Sequence, residues 1–436
     1  MEKTATTLNI LAGFVELLPS DQICFDQLIN LIEREYQKFG FWHLDTPIIE
    51  RSEILLAKAG GETEKQIYRF NKGSNDLSLR FDLTIPLARY VANHYNQLKF
   101  PFKRYQIGKV YRGESPQKGR FREFYQADVD IIGHNELSSD YDFEMLLLVY
   151  EILKKLNLTK FIVKISHRQL LNAVITYLNL EDKKIAILRL IDKKDKIGHE
   201  KLINYWQELR LSAKQIEFLL KFTQISGLNK ALNNLSSLPF QNLEAFKKGY
   251  ADLTLINEKI KTLSLDSSCF IFDMSIARGF DYYTGLIFET NFIDYPQVGS
   301  ICSGGRYDNL VSEYSQEKLP GVGFSIGLTR LFDQSKNLKL LNLIPKQTLD
   351  LLIIPLGYKN KALILAQNLR QQNLNVEVLL TDDNIKKKFK YADKRGVKWV
   401  LIIGEDEIKK QLLTLQNMDT GEKNLIAEGE IKAQII

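Results

Sequence analysis

At 436 residues the chain is long enough for two or three domains with substantial cores. Hydrophobic residues at 44% and charged residues at 26% are ordinary for a soluble globular protein. No apolar run approaches the roughly 18 residues of a membrane span, so neither a signal peptide nor a membrane segment is expected.

The net charge of +6 permits a polyanionic partner without demanding one. Cys24, Cys269 and Cys302 lie far apart, which argues against a disulfide framework or a zinc site and suits a reducing compartment.

In chain order, helical spacing of Ile23, Leu28, Ile29 and Ile32 predicts a helix over about Gln22 to Lys38, begun at Ser20-Asp21. FGFWHLDTPIIE (39–50) follows as strand broken at Pro47. LSLRFDLT (77–84) reads as a short strand with Arg80, Asp82 and Thr84 on one face, and a helix is expected from Pro86.

The clearest alternation lies between Phe100 and Gly133. FKRYQIGKVYRGE and FREFYQADVDII read as an antiparallel hairpin joined by SPQKGR. Arg122, Phe124, Gln126, Asp128 and Asp130 then share one strand face, and Arg112 and Glu114 share another, with Lys118 and Arg120 in the loop. Such a face offers guanidinium forks for phosphate, a ring for a purine and carboxylates for an ammonium group. An ordinary solvated hairpin is the competing reading at this point.

A helix over about Asp140 to Lys155 comes next, then a lysine-dotted helical stretch over 168–262 without chemical motifs. Strand signals resume at CFIFDMSIARGFDYYTGLIFET, ICSGGRYDNLV and GVGFSIGLTRLFD, the last running into a helix with Arg330 in its first turn. Arg278 and Asp281 sit in apolar surroundings, where an arginine needs a partner or a polar site. From about residue 348, DLLIIPL, NVEVLLT and KWVLIIG alternate with helical stretches, a βαβ pattern that predicts a small, mostly parallel domain. There is no GxxxxGK[ST] phosphate loop, and the five histidines form no recognisable catalytic spacing.

Together these segments resemble class II aminoacyl-tRNA synthetases, and within them the histidyl-tRNA synthetase family, over essentially the whole chain. FGFWHLDTPIIE resembles class motif 1, VYRGESPQKGRFREF motif 2 and GVGFSIGLTRLF motif 3. ARGFDYYTG and SGGRYDNL resemble the two histidine-specific signatures.

The fold this resemblance implies is an α+β catalytic domain over 1–335 on a mostly antiparallel sheet. A helical insertion over 168–262 and a small α/β anticodon-binding domain over 348–436 complete it. The implied activity forms histidyl-adenylate from histidine and ATP, then transfers histidyl to the terminal adenosine of tRNA(His). ATP is expected with Mg²⁺, without zinc, in a cytoplasmic homodimer that touches no membrane.

The resemblance assigns ATP to Arg112, Glu114, Arg120, Phe124 and Arg330. It assigns histidine to Asp82, Thr84, Gln126, Asp130, Arg278, Tyr283 and Tyr307, with Arg278 and Arg112 acting in catalysis. Where the family usually opens with a Gly-Thr-Arg-Asp-like element, this chain has Gly13-Phe14-Val15-Glu16, without the arginine. The second reading is a non-catalytic, histidine-sensing paralogue, the regulatory subunit of ATP phosphoribosyltransferase.

Overall fold

The computed structural model describes residues 8–57, 64–117, 119–277, 283–309, 311–340 and 349–435. It divides into two compact units, 1–343 and 344–436.

The first unit is built on an eight-stranded sheet and a smaller three-stranded one. Its strands are β1 (Trp42–His43), β2 (Ile49–Arg51), β3 (Arg69–Lys72), β4 (Asn75–Leu79), β5 (Phe102–Tyr111) and β6 (Glu123–Ile132). They continue with β7 (Phe161–His167), β8 (Phe270–Phe272), β9 (Leu286–Phe292), β10 (Ser300–Tyr307) and β11 (Gly321–Gly327). The large sheet runs β1-β5-β6-β11-β10-β9-β7-β8. Only its outer pairs, β1–β5 and β7–β8, are parallel.

The helices are α1 (Pro19–Lys38), α2 (Ser52–Leu56), α3 (Thr84–His94), α4 (Asp140–Leu156), α5 (Arg168–Tyr177) and α6 (Lys184–Asp192). They go on with α7 (Lys194–Ile197), α8 (His199–Glu208), α9 (Ala213–Thr223), α10 (Asn229–Leu235), α11 (Glu244–Thr262) and α12 (Leu328–Asn337). A parallel neighbour needs a long crossover, and helices α5 to α11 supply it by leaving after β7 and returning at β8. At that junction His167 Nε2 meets Asp252 Oδ2 of α11 at 3.1 Å.

Alternation along β6 divides its side chains cleanly. Ala127, Val129 and Ile131 are fully buried in the main core with Phe25, Leu28, Ile32 and Tyr36 of α1 and Leu146, Val149 and Leu153 of α4. Each of the valine, leucine, isoleucine and phenylalanine side chains contributes about 1.5–3 kcal/mol by leaving water. The opposite row, Phe124, Gln126, Asp128 and Asp130, faces a cavity.

Two local readings differ from the sequence expectation. Helix α1 starts at Pro19, where a first-turn proline loses no hydrogen bond, so Ser20 and Asp21 lie inside it. Strand β4 stops at Leu79 because the Asp82 carboxylate accepts the Ile85 N–H at 3.0 Å, which starts α3 at Thr84 rather than Pro86.

The second unit holds β12 (Leu351–Pro355), β13 (Val376–Val378), β14 (Trp399–Ile403), β15 (Leu413–Asn417) and β16 (Lys423–Ile426). Its helices are α13 (Lys359–Gln371), α14 (Ile385–Arg395), α15 (Glu405–Lys410) and α16 (Ile431–Ile435). Strands β13, β12 and β14 are parallel as the βαβ pattern requires, whereas β14–β15 and β15–β16 are antiparallel. The sheet is therefore mixed rather than mostly parallel.

Candidate active site

Strands β6, β11 and β10 build the floor of one polar cavity of about 300 Å³, with β5 flanking β6 outside its lining. Cross-strand register aligns Arg104 of β5, Asp130 of β6 and Gly323 of β11 in one row. The next row aligns Gln106, Asp128 and Ser325, and the third aligns Gly108, Gln126 and Gly327.

Every site residue expected from the sequence that the structure describes lines this cavity. Asp82, Thr84, Gln126, Asp130, Tyr283 and Tyr307 do so, as do Arg112, Glu114, Arg120, Phe124 and Arg330. Arg278 and Lys118 lie outside the described residues.

Two guanidinium groups are held by backbone oxygens and a third by a carboxylate. Arg112 Nε donates to the Phe81 carbonyl at 3.0 Å, and its guanidinium lies 5.2 Å from the Phe124 ring centroid. Arg330 donates to the Gly119 carbonyl at 2.8 Å and the Ser300 carbonyl at 3.1 Å. Arg120 pairs with Glu114 at 3.2 Å. Fixed forks of this kind suit an anionic ligand, and the ring between them suits a purine.

At the other end carboxylates dominate. Tyr307 donates its hydroxyl to Asp130 Oδ1 at 2.6 Å, and the fully buried Arg104 pairs with Asp130 Oδ2 at 2.5 Å. Burial pushes the Asp130 carboxyl upward, against the pull of Arg104 and the Tyr307 hydrogen bond. Asp82 is likewise raised by burial, with the Ile85 and Thr84 N–H groups and Arg112 opposing. Asp128 is raised to about 7 by burial, and Arg104 and Ser325 hold it down while Asp130 and Asp82 push it further up. A crowded acidic wall of this sort favours a cationic ligand.

Glycines set the depth of this end. A Cβ on Gly305 would strike the Tyr283 ring and the Leu286 carbonyl, and one on Gly321 would strike the Tyr307 ring. A Cβ on Gly323 would collide with the Asp130 carboxylate. The SGGRY and GVGF glycines thus make room for the polar groups. Arg306, beside them, is buried and paired with Asp142 at 2.8 Å.

Some expected placements need correction. Arg112 and Glu114 do not share a strand face; β5 ends at Tyr111, and both sit in a loop that runs from 112 to 122. Arg122 does not join the cavity row. It packs against Gly13 and donates to the carbonyls of Glu114 and Ala12. Arg80, Asp82 and Thr84 do not share a strand face either. Arg80 is buried and donates to the carbonyls of Thr46 at 2.5 Å and Lys109 at 2.8 Å.

Sequence reasoning passed over Ser325 as a cavity-lining residue and Arg104 as the partner of Asp130, and gave Asp128 no role. Arg104 and Gln106 alternate along β5 opposite the carboxylates, a pairing that only the strand register reveals.

Comparison with known proteins adds three findings. A family model described as histidyl-tRNA synthetase matches residues 13–331, and one described as an anticodon binding domain matches residues 350–436. Histidine–tRNA ligases of Clostridium tetani and Finegoldia magna are 48% and 46% identical to the chain. The first alignment covers 99% of each chain, and the second 97% of this chain and 98% of the relative. The crystal structure of histidyl-tRNA synthetase from Nostoc sp. PCC 7120 superposes with a TM-score of 0.88 at 34% identity, covering 99% of both chains.

Proposed function

The chain belongs to the histidyl-tRNA synthetase family, and from that premise together with the cavity we propose that it is an ATP-dependent histidine–tRNA ligase. One observation carries the reading. A single cavity joins an arginine-and-aromatic end suited to a nucleotide to an acidic, phenol-lined end suited to a cationic amino acid. The regulatory-paralogue reading is not favoured, because relatives that span the whole chain bear the ligase name.

Activation joins the histidine carboxylate to the α-phosphorus of ATP and expels pyrophosphate. The carboxylate is already ionised at neutral pH, so no general base is needed. The barrier lies in bringing two anions together, and fixed positive charge is what lowers it. Arg112 serves the α-phosphate, Arg120 and Arg330 the distal phosphates, Phe124 the adenine face and Glu114 its edge. Asp82, Thr84 and Gln126 grip the amino group, while Asp130, Tyr283 and Tyr307 line the imidazole. A carboxylate and a phenol together satisfy both ring nitrogens and leave buried groups unpaired for any other side chain. Arg278 keeps the role that the family resemblance gives it, bridging the histidine carboxylate and the α-phosphate. Mg²⁺ arrives with the nucleotide as part of the substrate.

The second step passes histidyl to a ribose hydroxyl of the terminal adenosine of tRNA(His), and residues 350–436 read the anticodon. Exposed Trp42, Ile48 and Ile49 on the segment resembling motif 1 support a homodimer through that face. A cytoplasmic location suits an enzyme that charges tRNA. Charging of tRNA with labelled histidine tests the assignment: Arg112→Ala should lower kcat/KM by about 10²–10³-fold. Undiminished charging by that variant would remove Arg112 from the site.

A further inference from the structure

Asp128, Ser325 and Gln126 form a connected group in the cavity that the assignments above use only in part. Pairing of β6 with β11 sets Ser325 directly opposite Asp128 and Gly327 opposite Gln126. Gln126 Nε2 donates to Ser325 Oγ at 2.6 Å. The same hydroxyl faces the Asp128 carboxyl across that register and favours its ionised form.

A serine hydroxyl has one proton to give. An ionised Asp128 can only accept, so it takes the Ser325 proton and leaves a serine lone pair for the Gln126 N–H. That arrangement fixes which way the amide faces: its NH₂ is engaged by Ser325, and its oxygen is left as an acceptor. Gln126 Oε1 is buried with no hydrogen-bond donor, and so is Asp128 Oδ1. Two buried acceptors without donors, side by side, call for a ligand rich in N–H groups.

We propose that Asp128 and Ser325 are positioning residues that hold the Gln126 amide with its oxygen toward the substrate's α-ammonium, and that protonation of Asp128 reverses this orientation. The proposal rests on the reading that Gln126 grips the amino group. Protonation opens the reversal by giving the carboxyl a donor beside its remaining acceptor oxygen. A neutral Asp128 donates to Ser325 Oγ, the serine proton then turns to Gln126, and the amide rotates to accept it through Oε1. Its NH₂ is left facing a cation, which it repels. One proton enters at Asp128 and none leaves.

The charged and titratable groups around Asp128 come from five directions. They are Arg104 of β5, Asp130 of β6, Asp82 and Arg80 flanking the turn before α3, Tyr36 of α1 and Cys302 of β10. Burial outweighs the arginines and brings the Asp128 carboxyl to about 7, inside the working range of pH.

The test is the KM for histidine and for ATP in pyrophosphate exchange between pH 6 and 8.5, in wild type, Ser325→Ala, Ser325→Thr, Asp128→Asn and Gln126→Ala. Ionisation of histidine itself is common to all and cancels in ratios. At pH 8 Ser325→Ala should raise the histidine KM by about 10-fold, the loss expected for a charge-assisted contact. Its ATP KM should not move, which also certifies the fold. At pH 6 the gap should close to about 2-fold as wild type loses its own relay. Ser325→Thr should restore the wild-type profile, and Asp128→Asn should hold a constant ratio to Ser325→Ala. A gap between wild type and Ser325→Ala that is the same at both pH values overturns the relay. An unchanged histidine KM in Gln126→Ala overturns the premise that Gln126 grips the amino group, a failure distinguishable from the first.

Discussion

Asp82, Asp128 and Asp130 crowd one wall of the cavity, and burial raises the carboxyl of each. For Asp128 the consequence for stability can be signed. Its folded carboxyl titrates at about 7, whereas an unfolded aspartate titrates near ~4. Between those values the folded state keeps a proton that the unfolded state has lost, so stability falls as pH rises through this window. Above pH 7 both states are ionised and the full penalty is in place. Asp128→Asn should therefore melt higher than wild type at pH 8, by ~2–4 °C for each kcal/mol relieved. The two proteins should converge below about pH 4, a comparison that calorimetry can make. Much at this scale could be read from sequence. Gln126 and Asp130 follow from alternation along one strand, and Tyr307 and Arg330 follow from the signature segments. Arg104 did not, because its importance lies in which strand pairs with β6 and in what register, and a single strand's pattern does not contain that.

At the scale of elements, the cavity depends on strands that approach closely without side chains. The ideal Cβ of Gly323 would overlap the Asp130 carboxylate and the Val129 carbonyl, and that carbonyl is backbone and cannot swing away. Gly323→Ala should destabilise the protein by about 1–3 kcal/mol, the usual cost of overpacking. It should also raise the histidine KM at least ~10-fold by displacing Asp130, with a smaller effect on ATP. Gly429→Ala is the matched control, since nothing lies within 4 Å of its added methyl. Denaturant melts and exchange kinetics on the two variants separate the outcomes. Equal behaviour of the pair would mean that the β6–β11 spacing has slack.

Strand and helix identities were readable where hydrophobic period was sustained, as in α4, β5, β6 and the β11-to-α12 run. Ends were not readable where a side chain intervenes. Asp82 converts the end of an apparent strand into the start of α3, and Gly13 accepts the Arg122 N–H through its carbonyl at 2.7 Å, so residue 122 keeps only its carbonyl bond to the Arg112 N–H, at 2.9 Å, toward β5. Strands β15 and β16 went unseen because polar residues interrupt them, as in LTLQN and KNLI, where β12 and β14 are nearly continuous apolar runs.

At the scale of the molecule, the two units have separate cores. Residues of β12, α13 and β14 cluster with Leu413, Leu415 and Ile431, and among the described residues the main core takes none beyond α12 and the segment just after it. A chain ending at Leu343 should accordingly keep histidine activation within about 10-fold of wild type. Its kcat/KM for tRNA should fall ~10²-fold or more if residues 350–436 read the anticodon. Retained charging efficiency in the shortened chain would locate tRNA selection wholly in the first unit. The change from helical and antiparallel patterns to βαβ near residue 348 made the second unit visible in sequence, whereas the connection of α5 to α11 with the sheet was not. That attachment is made by apolar side chains of these helices, Leu170, Val174, Leu253 and Ile256 among them, which share the main core with β7 and β8, and by polar contacts such as His167 to Asp252; periodicity marks a face as apolar without saying what covers it. The most direct test of the whole account is ATP–pyrophosphate exchange with each of the amino acids in turn. The account predicts exchange that depends on histidine and on no other amino acid; exchange driven by a different amino acid, or none from folded protein that binds histidine, would contradict it.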